Sequence, residues 1–551
     1  LLQHIEVVGF RGIRRLSLDC TYSLALIGEN AWGKSSLFDA ISLVFNSQQQ
    51  LYKFRLADFH TSPDTEQASS RISLVFTLKE RFAGQYQKAR YRAISPLWIG
   101  GSKSCKRIYF QLEASINDSG QVITERRFLN SRGQVINLDS PNAFAKQLIS
   151  FFPALRFSQD NAFLSETDVT LNHSLREQSE QLINKLCQRV SQTSQPLLKS
   201  ELTQSFNALE FLFEQYLSPR FAHLAQQSGP RKVRDMGLKP VSFRAIENLS
   251  ELLKSGHSRH TKAALLVMLG AYLRARGPNL LRRGCSPIFL LEEPESRLHP
   301  INLLTSWSLF EQLPVQKIVA TNSADLLATF PLSQVTRLVR RGDNLSAFKV
   351  EEQDYSSDEF RRIAFHVRIN RPASLLARCW LMVEGETEFW LLTELARVCG
   401  LSFAGEGIRI VEFAQCGVKP LLKVANDMGI EWHLLTDGDE AGKKYANHAK
   451  SFVSGEMLSE RLTLLPAHDM EHFLYHHGFD GVFIKQAKLK SKDALKLGPS
   501  KVIERAISRL SKPRLALAIA EDVETRGEEA IPLLLRRMLH RLAAQARGQA
   551  G

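Results

Sequence analysis

The chain has little cysteine: Cys20, Cys105, Cys187, Cys285, Cys379, Cys399 and Cys416 are scattered through 551 residues, odd in number and never spaced C-x-x-C. That scatter argues against a disulfide framework and against a structural zinc site. No uninterrupted apolar run of about 18 residues occurs, so no membrane-spanning helix is expected. No charged-then-apolar leader opens the chain, which makes the cytoplasm the expected compartment. Acidic residues are in deficit: 57 Asp and Glu against 71 Lys and Arg leave a formal net charge of +14. An excess of that sign points to a polyanionic partner, DNA or RNA, although a merely basic surface gives the same count. With 44% apolar and 23% charged residues, the composition is that of a packed protein, long enough for several domains.

What the chain does have is a phosphate-gripping loop near its start. Leu24 to Leu37, LALIGENAWGKSSL, reads as a short apolar strand, a glycine-cornered loop and the first turn of a helix. It fits G-x-x-x-x-G-K-[ST] with Gly28, Gly33, Lys34 and Ser35 in the fixed places. Such glycines let backbone N–H groups wrap a phosphate. The lysine then reaches the β/γ-phosphates, the serine can ligate Mg²⁺, and the helix offers its positive end. Before the loop, HIEVVGFRGIRRLSLDC alternates in two runs with Arg11 at the turn, the pattern of paired strands. Arg71 to Leu78 and Lys106 to Ile116 read as further strands, giving an α/β lobe with an antiparallel flank.

From about 143 to 255 the period becomes helical, with Leu175, Leu182, Leu186 and Val190 on one face and Phe206, Leu209, Leu212 and Phe213 on another. These faces suit either core or a subunit contact. Arg231, Lys232 and Arg234 lie in a basic loop that suits phosphate or solvent equally. A helix over Lys262 to Gly277 leads to PIFLLEEPESRLHP, where four apolar residues end in Glu292 and Glu293, the shape of a Walker B strand. In that role Glu292 holds Mg²⁺ through water and Glu293 orients the attacking water. Lys317 to Leu327 reads as another strand, turning through Thr321, Asn322 and Ser323 into a helix.

GENAWGKS, LLEEPESRLHP and the TNS turn together resemble the head of an ABC-type ATPase of the repair and defence kind. The two Walker elements lie too close in the chain for a long coiled-coil arm, so a compact RecF-like or OLD-like head is implied. The resemblance implies that ATP is held by Gly28, Asn30, Gly33, Lys34, Ser35 and Ser36 with Glu292 and Asn322, and Mg²⁺ by Ser35 and Glu292. It also implies that heads dimerise around ATP, a Ser-Gly signature completing the partner's site; Ser255 and Gly256 are the local match. Two departures, Glu292 in place of the commoner Asp and Asn322 in place of a switch histidine, imply slow hydrolysis.

After a charged connection over Glu351 to Arg371, strands and helices alternate again, as in a parallel sheet whose C-terminal strand ends gather at one site. CWLMVEGETEF ends a strand at Glu384, WHLLTDGDEAG ends another at Asp437 and Asp439, and RLTLLPAHDMEHF brings Asp469 and Glu471. A knot of carboxylates with a D-x-D pair suits hard divalent ions, and two such ions about 4 Å apart can cut a phosphodiester. These motifs resemble a Toprim domain. An ABC-type head followed by Toprim is the architecture of the OLD (overcoming lysogenization defect) family of ATP-dependent endonucleases, which the chain resembles over nearly its full length; the closing helices imply the YbjD-like subgroup. The resemblance implies a metal site of Glu384, Glu388, Asp437, Asp439 and Glu471, with Lys512 (alternatively Lys501) assisting at the phosphate. Between Gly481 and Lys512 nine basic residues (Lys485, Lys488, Lys490, Lys492, Lys496, Lys501, Arg505, Arg509, Lys512) face two acidic ones, a tract able to hold a DNA backbone or simply to face solvent.

The expected organisation is an α/β protein: an ATPase lobe at 1–142, a helical insertion at 143–255, the second ATPase lobe at 256–350, a linker at 351–375, Toprim at 376–480 and a basic helical extension at 481–551. The expected function is an ATP-binding, Mg²⁺- or Mn²⁺-dependent DNA endonuclease. It is expected to work as a homodimer in repair or phage defence, with room for a further protein partner. Its rival is a RecF-like DNA clamp with a non-catalytic Toprim domain.

Overall fold

The computed structural model describes residues 1–46, 50–62, 69–100, 104–157, 181, 285–296, 299–312, 315–453 and 458–548. The helical insertion after Phe157, the basic loop with Arg231 and the Ser255–Gly256 match lie outside the described residues. Two compact units divide the chain, one of residues 1–330 and 334–347 and the other of residues 331–333 and 348–551.

Among the described residues, the first unit contains two sheets. Strands β1 (Leu2–Phe10), β2 (Ile13–Asp19), β4 (Arg71–Lys79), β5 (Arg107–Ile116) and β6 (Val122–Leu129) form an antiparallel sheet in the order β2-β1-β4-β5-β6. Alternation along β1 buries Ile5 and Val7 and exposes Glu6 and Val8. The second sheet runs β11-β10-β3-β9-β8-β7, from β3 (Ser23–Ile27), β7 (Ala154–Phe157), β8 (Ile288–Glu292), β9 (Gln316–Ala320), β10 (Val335–Arg341) and β11 (Asn344–Lys349). Its five strands from β10 to β7 are parallel. Every residue of β9 is buried and so are the four apolar residues of β8, as expected of central parallel strands covered on both faces. The topology inserts β9 between the P-loop strand β3 and the Walker B strand β8, so the turn after β9 reaches toward both.

In the second unit, β12 (Cys379–Val383), β13 (Ile408–Glu412), β14 (Glu431–Thr436) and β15 (Leu462–Leu464) form a parallel sheet in the order β13-β12-β14-β15. The chain leaves β12 in one direction to make β13 and leaves β14 in the other to make β15. The crevice at the C-terminal ends of β12 and β14 is therefore a topological switch point, where such sheets bind ligands. The charged stretch before β12 is helical over Ser357–Ile363 and again over Ala364–Asn370, and it belongs to this unit.

The closing segment is helical over Asp480–Gln486, Ser491–Leu497, Pro499–Arg509, Lys512–Arg526 and Leu533–Ala546. These helices do not stand apart. Leu515, Ile519, Val523, Leu535, Leu539 and Leu542 share one hydrophobic cluster with Cys379, Leu381 and Val383 of β12. No helix among the described residues is long and apolar enough to cross a membrane.

Candidate functional site

Each unit carries one set of candidate residues. In the first, β3 ends at Ile27, and the loop closes onto a helix over Lys34–Val44 whose N-cap is Gly33 at φ 82°. A side chain there would be strained by its backbone and would also meet Leu345 at 2.9 Å and Ile13 at 3.1 Å, so this corner requires glycine. Lys34 is 6% exposed. Its ammonium donates to the Gly28 carbonyl, to the Glu29 carbonyl (3.2 Å) and to Asn322 Oδ1 (3.5 Å). Burial pushes its pKa down, and Glu293, Glu295, Glu29 and Glu292 act in the opposite sense. Asn322 and both Walker elements thus meet around one lysine. Ser35 is exposed at the first turn, and Ser36 Oγ accepts from the Gly12 N–H at 3.3 Å.

Glu292 is paired in register with Ala320, level with the TNS turn. Glu293 follows at φ 45°, held there by its N–H donating to Ala320 O at 2.8 Å, a left-handed backbone that a non-glycine residue adopts at a cost of about 1 kcal/mol. Glu295, which the sequence reading passed over, accepts from Thr321 Oγ1 (2.8 Å) and from the Asn322 N–H (2.6 Å), and so fixes the turn that carries Asn322. Also missed were Arg156, bound to Glu292 and Asp39, and Asp58, bound to Arg11.

In the second unit, Glu384 follows β12 and Gly385 caps the helix over Glu386–Val398. Glu388 turns back to accept from the Gly385 N–H at 3.1 Å. Asp437 follows β14, and Asp439 is the N-cap of the helix over Glu440–Lys450, accepting from the Gly442 N–H at 2.6 Å. The turn is tight: a Cβ on Gly442 would lie 1.9 Å from Asp437 O. Asp469 caps the helix over Met470–Leu474 and accepts from the His472 N–H (2.8 Å), while the His472 ring lies 2.6 Å from Asp469 and 3.1 Å from Ser500 Oγ. Buried Glu471 is paired with Lys512 Nζ at 2.9 Å. Lys501 is exposed on the helix over Pro499–Arg509.

Electrostatics tie these groups together. Burial, then Glu388, Glu384, Asp469 and Glu471, push the Asp437 carboxyl up to about 8. Burial and Asp439 raise Glu384, with Lys512 opposing; burial raises Glu388 despite its hydrogen bond from Gly385. Asp469 goes the other way: burial would raise it, but the His472 hydrogen bonds and the nearby Lys512 charge hold it low. Lys512 is likewise raised by Glu471, Glu388 and Asp469 against its own burial. All-oxygen donors at excess negative charge fit a hard divalent cation, which would offset both the burial and the mutual repulsion that raise Asp437. The carboxylates face one another without clasping a single point. Among the described residues, the three mixed donors whose atoms all fall within 4.8 Å of one another are elsewhere in this unit: Cys399, Glu528 and His540.

A P-loop sheet with a strand inserted between its Walker elements, and a parallel sheet with carboxylates at its switch point, define an ABC-type ATPase head joined in one chain to a Toprim domain. Residues 1–374 match a family described as a protein of unknown function, DUF2813, and residues 375–439 match the Toprim domain of overcoming lysogenization defect (OLD) proteins. The chain, more than half of which the first match spans, belongs to the DUF2813 family. It is 39% identical over 555 residues to the uncharacterized protein YbjD of Escherichia coli (strain K12), each chain being covered in full. Among solved structures, the SMC head domain from Thermotoga maritima is 14% identical, with 64% of this chain and 99% of that one covered and a TM-score of 0.31. The C-terminal region of the Xanthomonas campestris pv. campestris OLD protein is 18% identical, with 31% and 98% covered and a TM-score of 0.26.

Proposed function

We propose that the chain is an ATP-binding, Mg²⁺- or Mn²⁺-dependent DNA endonuclease. It would act as a homodimer in the cytoplasm, in DNA repair or phage defence, with the ATPase head modulating cutting at the Toprim site. The observation that carries this reading is the set of neighbouring carboxylates at the β12/β14 switch point, where burial and then the charges of Glu388, Glu384, Asp469 and Glu471 push the Asp437 carboxyl up to about 8. Two divalent cations bound there would supply an activated water and stabilise the leaving oxygen of a phosphodiester.

The chain's own residues do the rest. Glu384, Glu388, Asp437, Asp439 and Glu471 would hold the ions. Three helix N-termini, capped by Gly385, Asp439 and Asp469, turn their positive ends toward these acids and temper their repulsion. Lys512, held by Glu471, would meet the scissile phosphate, and all nine basic residues between Lys485 and Lys512 are exposed to hold the backbone on either side. In the head, Lys34 would leave the Gly28 carbonyl for the nucleotide's phosphates, and Glu293 would orient water.

The rival, a DNA clamp with a non-catalytic Toprim domain, draws on the same carboxylates' failure to converge on one point. One experiment separates them: supercoiled plasmid with Mg²⁺ or Mn²⁺, with and without ATP, alongside Glu384→Ala and Lys34→Ala. Nicking by wild type, silence in Glu384→Ala and an altered ATP response in Lys34→Ala are expected. DNA binding with no cutting under either metal would replace the endonuclease with the clamp.

A further inference from the structure

Between the two Walker elements stands a cation that phosphate binding does not require. Arg156 lies on β7, which pairs with β8, and donates from Nε (3.0 Å) and from Nη2 to one oxygen of Glu292, Oε2. Its Nη1 donates to Asp39 Oδ1. Asp39 follows Ser35 by four residues on the P-loop helix, so the two share a face one turn apart. The other oxygen of Asp39 is taken by Arg11, whose guanidinium is anchored on Asp58 at 3.0 and 2.9 Å. The result is a row of alternating charge, Glu292, Arg156, Asp39, Arg11, Asp58, with no side chain more than 33% exposed.

Ser35 and Glu292 are the groups expected to hold the nucleotide's Mg²⁺. Arg156 caps the carboxylate of one and is tethered, through Asp39, one turn along from the other. A guanidinium and a divalent ion compete for the same carboxylate charge, and around Lys34 the acids Glu293, Glu295 and Glu29 add to the negative potential either would neutralise. We propose that Arg156 is a displaceable cation, an electrostatic latch that occupies the Walker B carboxylate until nucleotide-bound Mg²⁺ takes it, and that sets the metal concentration at which the ATP site closes. Asp39 makes the exchange feasible. A guanidinium released from Glu292 keeps its Nη1 partner, so displacement does not strand a partly buried charge. Arg156 is in this sense a positioning residue, and the proposal rests on the P-loop and Walker B assignment above.

The test reads binding and not turnover. Full-length protein is held with a fluorescent N-methylanthraniloyl ATP, Mg²⁺ is titrated in, and polarisation gives the half-saturating metal concentration for wild type, Arg156→Gln and Arg156→Lys. Removing the competitor is expected to lower that concentration about tenfold in Arg156→Gln, the equivalent of one partly buried ion pair. Arg156→Lys, which keeps the charge but loses the two-pronged grip, is expected to fall between, and its milder change guards against a folding defect in the first variant. An unchanged or higher Mg²⁺ requirement in both variants overturns the latch, because Arg156 would then be building the metal site and not competing for it. Wild type that takes up no nucleotide at any Mg²⁺ concentration would instead overturn the P-loop assignment itself.

Discussion

Asp437 stands well away from the ordinary carboxylate range. Its carboxyl is raised from 3.8 to about 8, by burial first and then by Glu388, Glu384, Asp469 and Glu471. A folded value above the unfolded one means that the folded unit binds the proton preferentially. The stabilisation is complete below the unfolded value and is lost as the pH rises through the folded one. Without metal, thermal unfolding should therefore show lower stability at about pH 8 than at about pH 5, and Asp437→Asn should be the more stable protein at about pH 8. Mg²⁺ should raise the Tm of wild type at that pH and leave Asp437→Asn nearly unmoved; equal Mg²⁺ responses would mean that the ion binds elsewhere. At this scale legibility followed distance along the chain. Lys34 and Ser35, or Asp437 and Asp439, are close neighbours in the chain, as expected where one loop supplies several groups to a single ligand. Arg156 and Glu292 are 136 positions apart, and nothing short of the β7–β8 pairing brings them together.

Among the elements, the turn from β14 into the helix over Glu440–Lys450 is the most exacting. Gly442 lets that helix start against the Asp437 carbonyl, where a Cβ would sit at 1.9 Å. Gly442→Ala should push Asp439 away from Asp437, destabilise by about 2 kcal/mol or more in denaturant unfolding, and abolish Mg²⁺ stabilisation. A variant with wild-type stability and metal response would show that the turn has slack. The alternation of strand and helix around this site was readable because parallel strands are short apolar runs and the intervening helices are amphipathic. The stretch before β12 was harder: its charge suggests a connection, yet Ser356 and Glu359 form a capping box, with Glu359 N to Ser356 Oγ at 3.3 Å and Ser356 N to Glu359 Oε2 at 3.1 Å. The S-x-x-E spacing was the available signal. That the last helices pack on β12 had no such signal, since an apolar face does not name the surface that covers it.

Over the whole molecule, the net charge of +14 gains meaning from where it is displayed. If the basic tract tracks a DNA backbone, log–log plots of affinity against salt should be steep. Replacing Lys492, Lys496 and Lys501 together by Gln should lower the slope by about 3 while sparing Mg²⁺ binding at Asp437. An unchanged slope would place the DNA elsewhere. The shared core of β12 and the final helices has another consequence, one of timing. During synthesis the sheet with Glu384 and Asp437 emerges from the ribosome well before Lys512 and before the leucines at 535, 539 and 542 that seal its core. A nascent or prematurely terminated chain would carry the acids of the switch point but neither the lysine that pairs with Glu471 nor the packing behind β12, so whatever chemistry those acids support would wait until the last helix is made.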